Sequence, residues 1–178
     1  MAVDLQVIPS PDVDPTLRAE LRTLWREAFE GDFDACDESH AYGGVHVVAV
    51  DDDHVVGHAS AVPRPLIVDG LTYGAGYVEG VATHPDRQGE GIGSAMMDRL
   101  TDELRSRYEV GALSTGRTGF YQRLGWEQWQ GPSYVVVDGV PRRSEEEDGG
   151  LMVLRFGRSE ELDLHASLAC HDRAGDAW

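Results

Sequence analysis

The run Gln88-Gly89-Glu90-Gly91-Ile92-Gly93 is where this chain is best equipped for chemistry. Its alternating glycines let backbone N–H groups crowd one small volume. Ser94 to Leu104 then carries Ala95, Met96, Leu100 and Leu104 at helical spacing. Free N–H groups at a helix N-terminus form an anion site, and glycines admit the close approach of a pyrophosphate. The loop is not a P-loop, because no Gly-Lys-Ser/Thr follows. It is a poor dinucleotide fingerprint too, since its third glycine comes too early for Gly-x-Gly-x-x-Gly. A Gly-rich connection without function is the alternative. Glu79 stands in the strand-like run before the loop, on the face of Val81 and opposite Val78. A carboxylate in an apolar strand either does chemistry or meets solvent at an edge.

These groups need a scaffold, and the pattern along the chain supplies one. Residues 3–8 alternate as a first strand. Asp14-Pro15 starts a helix whose face is Leu17, Leu21, Leu24, Ala28 and Phe29, running to about residue 30 and stopped by Gly31. Residues 32–44 read as polar and irregular. A strand follows at 45–50, a turn at 51–53, and a long strand at 54–68, broken near Pro63 and Pro65. Asp69-Gly70 marks a hairpin, and 71–83 is the strand leading into the loop. The pattern then predicts a helix at 92–107, a strand at 110–113 and a short helix at 117–124 closed by Gly125. Strand-like runs at 126–129 and 134–137, an acidic excursion at 139–150 and a last clear strand at 151–156 complete it. The tail from 159 to 178 shows no strong period. Without repeat or linker, residues 1–178 read as a single α/β domain, the ordinary expectation for this length.

Composition narrows the function classes. Apolar residues make up 41 % of the chain, which carries four Trp and six Tyr, so a packed core is expected rather than disorder. No apolar run approaches the ~20 residues of a membrane span. Met1 to Leu5 lacks the basic start and apolar core of a signal peptide. Cys36 and Cys170 are too few for a disulfide framework and lack metal spacing, so a reducing cytoplasm is the expected home. The net charge of −17, with every basic residue an Arg, disfavours nucleic acid and anionic membranes and favours cations. A solubilising surface explains most of it. The seven His residues form no metal pattern, and His54 and His58, four apart on an expected strand, read as ordinary residues.

Gln88, Gly91 and Gly93 resemble the acetyl-coenzyme A loop of the GNAT N-acetyltransferases, whose pattern is Gln/Arg-x-x-Gly-x-Gly/Ala. The element order is similar to the GNAT fold, a mixed central sheet flanked by helices. In that fold the strands corresponding to 71–83 and 110–114 splay to admit the pantetheine arm. The resemblance implies that Val81, Ala82, Thr83, Arg87, Gln88, Gly89, Glu90, Gly91, Ile92, Gly93 and Ser94 hold acetyl-coenzyme A, with no metal. Acetyl transfer to an amine needs a neutral amine, a donor to the developing oxyanion and a proton for the departing thiolate. Glu79 would take the amine proton, directly or through water, and the Val81 N–H would be the oxyanion donor. Gly119-Phe120-Tyr121-Gln122-Arg123-Leu124-Gly125-Trp126 resembles the second GNAT signature, in which the Tyr protonates the leaving group. A phenol near ~10 and a thiol near ~8.5 suit that exchange, with packing as the other use of Tyr121.

Four stretches narrow the resemblance to the aminoglycoside 2'-N-acetyltransferases of actinobacteria. They are Gly31-Asp32-Phe33 with Asp37, Gly76 to Ala82, Gly125-Trp126-x-x-Trp129-x-Gly131-Pro132, and Arg173-Ala174-Gly175-Asp176-Ala177-Trp178. The resemblance implies a sugar site formed by Asp32, Asp37, Glu79, Gly80, Ser114, Glu147, Asp148, Asp176 and Trp178, whose carboxylate would share proton removal with Glu79. Carboxylates suit a substrate carrying several ammonium groups. Asp148 has Glu145, Glu146 and Glu147 beside it as alternatives. The family implies a homodimer. The alternatives are a GNAT enzyme for another cationic amine (a polyamine, a cell-wall amino sugar or a protein amine) and a non-catalytic module that binds acyl-coenzyme A or the drug.

Overall fold

The computed structural model describes residues 3–178, which form two compact units. The first comprises Met1–Val62 with Val78–Glu103, and the second Pro63–Tyr77 with Leu104–Trp178. The strands β3 (His54–Val68) and β4 (Leu71–Thr83) run from one unit into the other. The fold is α/β with a mixed sheet, as expected from the order of elements.

In the first unit, β1 (Asp4–Pro9) pairs antiparallel with β2 (Val45–Asp51), and β2 with β3. The register sets Val48 opposite His58 and His46 opposite Ser60. The β2–β3 turn places Asp52 and Asp53 at positive φ, which short polar side chains tolerate. Helix α1 (Pro15–Ala28) is capped by Asp14, whose carboxylate accepts from the Leu17 N–H at 2.8 Å. It buries Leu21, Leu24 and Trp25 against Val13, Ala41 and Ala82. Glu30 and Gly31, both at positive φ, turn the chain out of the helix.

The segment expected to be irregular contains a helix, α2 (Ala35–His40). Asp34 caps it, accepting from the Cys36 and Asp37 N–H groups, while Asp37 accepts from the Asp34 N–H in return. The reciprocal cap holds a helix too short to show an apolar period. Helix α3 (Ile92–Arg107) begins in the first unit; Met96, Met97 and Leu100 are buried, whereas Ala95 faces solvent instead of joining them.

In the second unit the strand order is β6 (Glu127–Gln128), β9 (Leu151–Arg155), β5 (Val110–Ser114), β4, β3, β10 (Leu168–His171), β7 (Ser133–Val137), β8 (Val140–Arg143). The β4–β5 and β10–β7 ladders are parallel, and the first covers only Ala75–Tyr77 against Val110–Ala112. Helix α4 (Thr118–Gln122) follows β5. Strand β3 is continuous through Pro63 and Pro65, contrary to the expected break. Both prolines are exposed, and they fall between the ladder to β2, which ends at Ala61, and the ladder to β10, which begins at Leu66. No main-chain donor is required of them there. Strand β8 replaces part of the expected acidic excursion, and β10 orders the tail. Among the described residues, no helix is long and apolar enough to cross a membrane.

Candidate active site

In the first unit, β4 delivers Glu79, Gly80, Val81, Ala82 and Thr83 in succession. One turn, Pro85–Arg87, then leads to the glycine loop and the start of α3. Gly89 and Gly91 have φ of +82° and +85°, and nothing lies within 4 Å of a Cβ built at either position. Only glycine takes that backbone without strain, and the space outside it is open. Both features fit a pyrophosphate resting on the N–H groups at the start of α3. The Arg87 guanidinium donates to Asp51 at 2.7 Å and to Glu90 at 2.9 Å. Glu90 is thereby offset by a cation. A separate cleft of about 920 Å³ along α1 includes Arg87 but none of Gln88–Ser94.

The extended backbone of β4 is interrupted at Gly80, whose φ is +58°. Glu79, Gly80 and Val81 are all half-buried, so the expected sharing of one face by Glu79 and Val81 is not kept as a simple pleat. Side chains hold the carbonyls here. The Ser60 hydroxyl donates to Glu79 O at 3.2 Å, and Gly80 O accepts from Trp25 Nε1 at 3.1 Å and pairs with His58 Nδ1 at 2.7 Å. His58 also meets His46, Nε2 to Nδ1, at 2.9 Å. Treating these histidines as ordinary missed the pair; the signal was their place on the same face of neighbouring strands.

Burial pushes His58 down to about 3, helped by the neighbouring His46, and pushes His46 down to about 4, helped by the Arg18 charge. Both rings stay neutral in the native protein while the unfolded chain protonates near ~6.5. Stability from this pair is therefore complete above the unfolded value and is lost as pH falls toward the native values. Each ring contributes a slope of about 1.4 kcal/mol per pH unit in that window. Chemical unfolding at about pH 7 and about pH 5 is expected to differ by roughly 2–4 kcal/mol more in the wild type than in a His46→Leu/His58→Leu double variant. Equal pH dependence in the two proteins would show that the rings titrate normally.

In the second unit the structure brings Ser114, Glu147 and Asp176 together. Ser114 Oγ donates to Glu147 at 2.8 Å. Burial holds the Glu147 carboxyl above its ordinary range, and the charges of Asp176 and Glu146 add to this against the Ser114 hydrogen bond. A cation entering here relieves like-charge repulsion. Asp148 is not part of this group: it pairs with Arg143, which draws its carboxyl below the usual range, and it meets Ser133 Oγ at 3.4 Å. Glu147, not Asp148, is the acid of that run that faces Asp176. In the first unit, Asp32 lies exposed just beyond α1, and Asp37 completes the α2 capping box by accepting from the Asp34 N–H.

Trp178 is buried, 5 % exposed, and its indole donates to Ser144 Oγ at 3.1 Å. Its backbone N–H donates to Asp176 Oδ1 at 3.1 Å, and the preceding carbonyl of Ala177 accepts from Arg64 and from the Cys170 thiol. The tail is thus anchored. Tyr121 is 7 % exposed and meets Trp126 edge-on at 6.0 Å. Burial pushes its phenol up to about 12, beyond the near match to a thiol expected from ordinary values. Among the described residues no group of three or more His, Cys, Asp or Glu is placed to hold a metal ion.

Residues 16–129 match the family model described as acetyltransferase (GNAT) domain. An aminoglycoside 2'-N-acetyltransferase from Mycolicibacterium fortuitum is 38 % identical over 177 residues, covering 97 % of this chain and 91 % of that one. Among solved structures, a GNAT family N-acetyltransferase from Escherichia coli in complex with CoA superposes with a TM-score of 0.70 at 18 % identity, covering 97 % of this chain and 93 % of that one. A GNAT family acetyltransferase from Brucella melitensis in complex with acetyl-CoA superposes with a TM-score of 0.63 at 21 % identity, covering 94 % and 96 %.

Proposed function

Because this chain belongs to the GNAT acetyltransferase family, we propose that it transfers acetyl from acetyl-coenzyme A to the 2'-amine of an aminoglycoside, directly, in a ternary complex. The observation that carries this is the 38 % identity to an aminoglycoside 2'-N-acetyltransferase across nearly the whole of both chains. The acidic group of Ser114, Glu147 and Asp176 supports it, because it suits an ammonium-bearing substrate. Residues 1–178 act as one GNAT domain in this proposal.

The N–H groups of the Gln88–Ser94 loop would hold the pyrophosphate, and the Val81 N–H would donate to the acetyl carbonyl. Glu79 would accept the proton of the attacking amine, and Tyr121 would donate to the departing thiolate. Asp32, Asp37, Glu147 and Asp176 would bind the ammonium groups. The enzyme would work in the cytoplasm as a homodimer, and its charge of −17 disfavours nucleic acid and anionic membranes as partners.

Thiol release from acetyl-coenzyme A, measured with aminoglycosides bearing a 2'-amine and with matched compounds bearing a 2'-hydroxyl, tests this. Turnover restricted to the 2'-amine set is expected. Tight acetyl-coenzyme A binding with turnover of neither set would move the acceptor to another cationic amine.

A further inference from the structure

Gly80 carries two features that belong together. Its φ of +58° takes the chain out of the pleat, and its carbonyl meets two side-chain nitrogens, Trp25 Nε1 from α1 and His58 Nδ1 from β3. A Cβ at Gly80 would lie 3.2 Å from Trp25 Nε1 and 3.4 Å from the His58 ring, so both rings close directly over this residue. The Gly80 carbonyl and the Val81 N–H are parts of one planar trans peptide, in which the two bonds point in opposite directions. Holding the carbonyl on one side aims the N–H at the other.

Behind His58 the hydrogen bonds form a chain with one consistent direction. A carbonyl only accepts, so His58 must donate from Nδ1. A neutral His58 then accepts at Nε2, so His46 must donate from Nδ1. His46 in turn accepts at Nε2, 2.7 Å from Ser10 Oγ, which must donate. Ser10 Oγ also accepts from the Gly43 and Gly44 N–H groups, at 2.9 and 3.1 Å, which fills its capacity. His46 and His58 are fully buried, diagonal neighbours on one face of β2 and β3. The chain ends on a carbonyl, which cannot pass a proton onward, so it is a strut and not a proton wire.

We propose that His58 and Trp25 are positioning residues that aim the Val81 N–H at the acetyl carbonyl, and that His46 and Ser10 lock the His58 tautomer this requires. The inference rests on the role given to Val81 above. It adds that two donors on the far side of the peptide polarise it, strengthening the N–H as a donor. Trp25 and His58 are then tied to the rate, although neither is assigned contact with either substrate.

The test compares wild type with His58→Leu, which removes the donor; His58→Asn, which restores an amide N–H near the place of Nδ1; and Trp25→Phe, which keeps an aromatic ring without its N–H. Calorimetry on each protein measures the affinities for acetyl-coenzyme A and for coenzyme A, which lacks the acetyl carbonyl. Expected for His58→Leu is a severalfold loss of the preference for the acetylated form, with coenzyme A affinity within about twofold of wild type. Expected for kcat is a loss of about tenfold in His58→Leu, partly rescued in His58→Asn, with the aminoglycoside KM within about threefold. Trp25→Phe is expected to move in the same direction and covers the case in which His58→Leu does not fold. An unchanged acetyl-coenzyme A preference in folded variants overturns the inference, as does an equal loss of affinity for both forms. The calorimetry does not need an aminoglycoside, so failure of that substrate assignment stays separate. A wild type that does not bind acetyl-coenzyme A would overturn the functional proposal and this inference with it.

Discussion

Replacing Glu79 by Gln is expected to lower kcat by about 100- to 1,000-fold while acetyl-coenzyme A still binds within about threefold of wild type. Gln keeps the size and polarity of the side chain but cannot accept the proton that the attacking amine must lose. The change leaves the backbone features around it in place: the Ser60 bond to Glu79 O and the left-handed turn at Gly80 do not depend on the carboxylate. Initial rates with saturating aminoglycoside, together with calorimetry for acetyl-coenzyme A, separate the two effects. The variant should also recover part of its rate as pH rises, because the fraction of substrate amine that is already neutral increases. A kcat/KM equal to wild type across pH would remove Glu79 from proton removal.

The parts of the fold and site that were legible in the sequence are those decided by neighbouring residues. Asp14-Pro15 announces α1 because the cap and the preset φ act within one turn. The alternating glycines announce the loop because Gly89 and Gly91 need positive φ. The Trp129-x-Gly131 spacing, by contrast, was legible only through the resemblance, because its cause lies far along the chain. The Trp129 indole donates to Ala166 O at 3.0 Å, and a Cβ on Gly131 would fall 1.9 Å from that same oxygen.

What was not legible depends on residues far apart in sequence. Strand β8 is Val-Pro-Arg-Arg, exposed throughout, and shows no alternation; only its pairing with β7 makes it a strand. Strand β10 is four residues long and exists through its ladders to β3 and β7. The His46–His58 pair depends on the register between β2 and β3, which shifts at Ala49/Val50. Nothing local to either histidine reports it. The choice of Glu147 over Asp148 is the exception: it rests on Arg143, only five residues before Asp148, at the end of β8.

Tyr121→Phe is expected to lower kcat by about 30- to 100-fold with the KM values for both substrates within about threefold, since a hydrogen bond to a charged group contributes about 1.5–3 kcal/mol. Its pH behaviour separates two ways of helping the leaving group. A phenol whose native value is raised stays protonated below that value and loses its proton only as pH rises through it. Burial puts Tyr121 at about 12, so its O–H is present throughout the working range. Passing that proton fully to a thiolate of ordinary value near ~8.5 would be uphill by several pH units. In the proposed mechanism Tyr121 would therefore help by donating a hydrogen bond as charge grows on sulfur, with the thiolate taking its proton afterwards from water. Two results follow for kcat measured from about pH 6 to about pH 10.5. The wild-type rate shows no alkaline fall near ~10 attributable to Tyr121, and the Phe variant runs parallel below it. An acetyl donor with a more acidic thiol, which needs less help in leaving, narrows the gap between the two enzymes. A wild-type alkaline break near ~10 that vanishes in the Phe variant would instead make Tyr121 a proton donor of ordinary acidity. A rate unchanged by the substitution at every pH would make it a packing residue against Trp126.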